Sequence, residues 1–176
     1  SGLWSVLRSS EDEVMKGSLL ITLYENLRWK TISPQGFRDE MLAYLPNESN
    51  SLLFSMALSY LGDCQRIFPS DSRPLEQALW KIVTTNPVSQ HRLQAFRLYR
   101  SIADSEEAVQ RLYTLWQERK APKDCALSES DYIGLSYMLA IHLPEKADEI
   151  IATQLSRIQN PDRKKEYQFI SPSVSP

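Results

Sequence analysis

Val88–Lys120, VSQHRLQAFRLYRSIADSEEAVQRLYTLWQERK, decides how the rest of the chain is read. Ala95, Leu98, Tyr99 and Ile102 recur at the spacing of one helix face, and Val109, Leu112, Tyr113 and Trp116 repeat that spacing after a break. At the break, Asp104 or Ser105 can accept a hydrogen bond from a free backbone N–H of the second helix. Glu106 and Glu107 put negative charge where the helix dipole favours it. The stretch predicts a helical hairpin, and neither helix can bury its apolar stripe alone.

Outward from it, the same grammar repeats. Toward the N-terminus, Ser10-Glu11-Asp12-Glu13 has the form of a capping box, predicting a helix to about Trp29. Leu20, Leu23, Tyr24 and Leu27 form its inward stripe, Val14 and Ile21 widen it, and Gly17 suggests a close helix contact. Ser33-Pro34 starts a helix carrying Phe37, Met41 and Leu45, which Pro46 ends. Ser49 or Asn50 caps the next, with Leu53, Met56, Ala57, Tyr60, Leu61 and Cys64, up to Phe68-Pro69. Asp71 or Ser72 begins a fourth, with Leu75, Leu79, Ile82 and Val83 inward. Leu3–Leu7 is a short apolar segment that either caps the first helix or belongs to what precedes it.

Toward the C-terminus, Ala121–Leu127 is a polar connector. Ser128 starts a helix with Ile133, Leu135, Met138, Leu139 and His142, and Pro144 opens one with Ala147, Ile150, Ile151 and Leu155. Asn160-Pro161-Asp162 caps a last helix of only two turns before Phe169 and Pro172. Helix pairs thus begin near residues 10, 49, 88 and 128, a period of about 39 to 40 residues. The expectation is an all-α fold, a HEAT- or armadillo-like superhelix of antiparallel helix pairs. Residues 1–9 read as a tag-derived Ser1-Gly2 and a lead-in, and residues 10–176 as a single helical-repeat domain.

Composition narrows the function classes. A formal charge of -2 and a pI near 5.7 give no reason to expect a nucleic-acid partner, which asks for a concentrated basic face. No run reaches the roughly 18 to 20 apolar residues of a membrane span. Cys64 and Cys125 lack metal or redox spacing and read as free, buried thiols. His91 reads as a solvated first-turn residue and His142 as a packing or capping residue, and there is no HExxH. No catalytic or metal-binding residue, and no cofactor of this segment, is expected. Trp29, Trp80 and Trp116 read as core aromatics, and Arg163-Lys164-Lys165 as a solvated helix face diluted by Asp162 and Glu166.

Two stretches carry a resemblance. Met15–Leu27, MKGSLLITLYENL, and Ile158–Pro172, IQNPDRKKEYQFISP, resemble the C-terminal helical domain of the M1 family of zinc aminopeptidases. The second is the more specific, combining an Asn160-Pro161-Asp162-Arg163 turn with Phe169 and Pro172. Leu112–Leu143 adds a Trp near a helix end, a Pro-containing connector, Leu-Ser-x-x-Asp and Leu-Ala-x-x-Leu-Pro.

The resemblance implies a non-catalytic HEAT-like domain that closes over the parent's catalytic domain and shapes peptide access to a zinc ion held there. Its partners would be that catalytic domain and the parent's peptide substrate. Asn160, Pro161, Asp162, Arg163, Phe169 and Pro172 would serve as a structural motif. The family continues with more helices where this chain ends at Pro176, and Ser173-Val174 stands where Ala-Leu is expected, so a domain truncated at its C-terminal end is expected. An independent helical-repeat scaffold binding a protein partner is the alternative, and a self-contained enzyme with dispersed carboxylates a third reading.

Overall fold

Six side chains set the helix starts. Asp12, Ser33, Asn50, Ser105, Ser128 and Asn160 each accept hydrogen bonds from backbone N–H groups that the first turn leaves unpaired. In the computed structural model, which describes residues 2–173, they open six of ten α-helices: α1 Gly2–Ser9, α2 Glu13–Arg28, α3 Pro34–Tyr44, α4 Ser51–Ile67, α5 Arg73–Thr85, α6 Ser89–Ile102, α7 Glu106–Glu118, α8 Glu129–His142, α9 Ala147–Arg157 and α10 Pro161–Ile170. Short 3-10 segments follow α3, precede α9 and follow α10. No strand occurs among the described residues, and the protein is all-α. Ser1 and Val174 lie outside the described residues.

The helices divide by their contacts into two compact units, one up to Leu98 and one from Tyr99, the division falling inside α6. In the first, α4 packs on α2 and α3, and α1 packs on α2. Leu20, Leu23 and Leu27 of α2, Phe37 and Met41 of α3, and Phe54, Ala57 and Leu61 of α4 are sealed from solvent. Residues 2–9 belong to this core: Trp4 and Leu7 are buried, and the Trp4 ring meets Phe37 edge-on at 5.7 Å.

In the second unit α8 packs on both α7 and α9, and α10 packs on α9. Val109, Leu112, Tyr113 and Trp116 are all buried, as their spacing predicts. Ser128 and Asp131 form a reciprocal capping box at the start of α8. Gly134 lies against the Arg100 guanidinium, where a Cβ would come within 2.9 Å of Nη1. A side chain there would push Arg100 off the Asp131 carbonyl that it reaches at 3.2 Å.

Several expectations are corrected. α2 is capped by Asp12, whose Oδ1 accepts from Val14 and Met15 N–H at 2.9 and 3.1 Å, while the Ser10 hydroxyl turns to the Asp12 N–H. Val14 and Ile21 are 79% and 48% exposed and Trp29 is 78% exposed. The helix is apolar on more than one face, and only the face of Leu20, Leu23 and Leu27 is covered. A Cβ at Gly17 would sit 3.7 Å from Leu53, an ordinary contact, so close packing does not demand glycine there. Pro144 opens a 3-10 segment, with α9 beginning at Ala147. α10 runs ten residues, longer than two turns. Cys64 and Cys125 are free and buried.

Candidate functional site

The motif near the C-terminal end is built on the start of α10. Asn160 Oδ1 accepts from the N–H groups of Asp162 and Arg163, both at 3.0 Å, and Pro161 occupies the first turn, where its missing N–H costs nothing. Arg163 Nη1 donates to Glu129 Oε1 at 3.2 Å, and the Gln159 N–H donates to Glu129 Oε2 at 2.8 Å. The Gln159 N–H, more than the Arg163 charge, holds the Glu129 carboxyl below its usual range. Glu129 is thus the second half of the joint, tying the start of α8 to the start of α10.

Phe169 and Pro172 do not join this cluster: both are exposed, Phe169 by 87% on α10. The buried aromatic of α10 is Tyr167. Its hydroxyl bonds Ser136 at 2.9 Å and its ring stacks on Tyr137 at 4.9 Å, and burial pushes its phenol up to about 12. An open groove of about 230 Å³ runs beside it, lined by Ser130, Ile133, Tyr137, Arg163, Glu166 and Tyr167 among others.

A second titratable cluster lies in the first unit, on residues that no spacing in the sequence connects. Glu48, just before α4, accepts from Tyr44 Oη, from Lys16 Nζ at 3.1 Å and from the Asn50 N–H at 2.7 Å. Burial alone would raise its carboxyl, but these three bonds outweigh burial and leave it lowered. The Tyr44 phenol is pushed far up, by burial and by the same carboxylate.

Beside this network His91 is 0% exposed, which corrects its reading as solvated. Its ring stacks on Phe54 at 4.0 Å and its Nε2 bonds Ser51 Oγ at 3.1 Å. Its Nδ1 has no partner among the described residues. Desolvation lowers its pKa, and Glu48 offsets part of that. His142 is half-buried, with Nδ1 4.0 Å from Asp104 Oδ1.

These arrangements join helices: Lys16 of α2 and Tyr44 of α3 meet on the buried Glu48 carboxylate in the first unit, with the Ser51–His91 pair of α4 and α6 beside it, and Glu129 joins α8 to α10 in the second. Among the described residues no three His, Cys, Asp or Glu side chains are grouped to hold a metal ion, and no helix is long and apolar enough to cross a membrane. The class that fold and polar clusters define is an all-α protein whose polar clusters tie helices together. Set against protein-family models, curated proteins and solved structures, the chain matches none of them.

Proposed function

We propose that the chain is the non-catalytic C-terminal domain of a zinc aminopeptidase resembling the M1 family, and that it shapes peptide access to a catalytic domain elsewhere in the parent. The observation that carries this reading is the Asn160-Pro161-Asp162-Arg163 turn. The segment most specific to the resemblance folds as a capped helix start locked to Glu129, the geometry a structural motif needs and a ligand site does not. The all-α fold agrees with it. On this reading the helix pairs, starting about every 39 to 40 residues, stack as a HEAT-like superhelix. Zinc and its activated water belong to the parent's catalytic domain.

The test is the natural reading frame around this segment, expressed whole. An HExxH upstream, chelator-sensitive release of N-terminal residues, and a segment deletion that lowers kcat/KM are the expected results. A frame without HExxH, or one without that activity, replaces the proposal with the second reading, an independent scaffold for a protein partner. The exposed apolar residues Val14 and Ile21 on α2 and Trp29 just after it favour that alternative.

A further inference from the structure

The end of α7 brings together two guanidiniums and a phenol. Arg119 closes the helix in the left-handed conformation, φ 53°, and its exposed guanidinium carbon stands 5.7 Å from the centre of the Tyr132 ring. Arg157 arrives from α9 and lies over the Trp116 ring at 4.8 Å. Its Nη1 donates to the Trp116 carbonyl at 2.9 Å and its Nη2 to the Gln117 carbonyl at 3.1 Å. Gln117 is two residues from Arg119, so both cations occupy the same helix end.

Helix capping explains only part of this. The carbonyl end of a helix attracts cations, and the two bonds of Arg157 satisfy that attraction. The Arg119 side chain bonds no carbonyl and adds a second positive charge to one already half-buried. Burial lowers the Arg157 pKa first and the Arg119 charge lowers it further, with the Tyr132 phenol acting the other way. Among the described residues no carboxylate pairs with either guanidinium, and the Tyr132 hydroxyl makes no hydrogen bond. Asp131, next to Tyr132, is engaged by Arg100. Like charges held together without an intervening acid are unfavourable unless an anion neutralises them.

We propose that Arg119, Arg157 and the Tyr132 hydroxyl form a binding site for an oxyanion, a phosphate or a carboxylate whose oxygens bridge the two guanidiniums. Planar guanidinium forks suit this geometry, and a half-buried one loses less to water than a lysine would. The exposed Lys120 beside them adds positive field at the entrance. The site stands whether or not the chain belongs to an aminopeptidase.

The test uses the whole 176-residue chain, labelled with nitrogen-15. Inorganic phosphate and succinate are titrated in separate arms, with ionic strength held constant by sodium chloride. Saturable shifts are expected at the Trp116 indole N–H and the amides of Gln117–Lys120, with half-saturation about millimolar, and Arg119→Gln should raise it by about fivefold or more. Arg119 makes no side-chain hydrogen bond in the fold and only an exposed contact with the Tyr132 ring, so this variant should stay folded with a melting curve close to that of the wild type. The arm that saturates at lower concentration identifies the oxyanion. Shifts that stay linear in both arms, or an Arg119→Gln titration that overlays the wild type, overturn the proposal.

Discussion

His91 shows how much one side chain can hide. Its place in the first turn of α6 suggested solvent, yet it fills a slot against Phe54 and Ser51. Because desolvation depresses its folded pKa, the unfolded chain takes up a proton first as pH falls from about 6.5, so stability is whole above that point and declines below it. Urea melts from pH 7.5 to 5 should show this decline, and His91→Phe should flatten it. An equal slope in the variant would place the sensitivity elsewhere. Glu48 adds a second loss at lower pH, because its folded pKa is also depressed and its stabilisation goes as that carboxylate is protonated. At the other end, Asn160→Ala should cost about 0.5 to 2 kcal/mol by uncovering two N–H groups. Arg163→Ala should cost less, since its pair with Glu129 is partly exposed. Denaturant melts of both variants check the order.

Among the elements, α7 and α9 are joined by a buried bond from Trp116 Nε1 to Gln154 Oε1 at 2.8 Å. Gln154→Ala leaves a sealed indole N–H unpaired and should cost about 1 to 3 kcal/mol. In a Trp116→Phe background the same change should cost clearly less, because no donor remains to be stranded. Equal costs in the two backgrounds would remove the bond from the account. The caps at Ser33, Asn50, Ser105 and Ser128 were legible because N-capping is local chemistry. A side-chain oxygen and the N–H groups it serves lie within three residues. Trp116 to Gln154, Lys16 to Glu48 and Ser51 to His91 were not legible, since their partners lie more than thirty residues apart and no spacing rule links them. The outward turn of Val14 and Ile21 was hidden for another reason: α2 is apolar on more than one face, and periodicity cannot choose which face a neighbour covers. Four of the six motif residues form the local turn Asn160–Arg163, whereas Glu129, the counterpart outside the motif, is more than thirty residues away.

For the whole molecule, the weakest covalent stretch should be the connector between α7 and α8. Lys120 and Lys123 are exposed there, outside any helix, whereas most other basic residues lie on helices. Brief trypsin treatment should cut first after one of these two lysines, giving fragments that meet in the connector by mass spectrometry. First cuts inside α2 or α8 would mean that those helices open more readily than their packing implies.

The two buried cysteines have a further use. Cys64 sits in the first unit, where Arg38 Nη1 lies 3.7 Å from its Sγ and burial raises its thiol pKa, and Cys125 sits in the second. Each unit therefore carries one internal clock. A sulfhydryl reagent can label neither residue until its surroundings open, so the two modification rates, separated by peptide mapping, time the breathing of each half in a single tube.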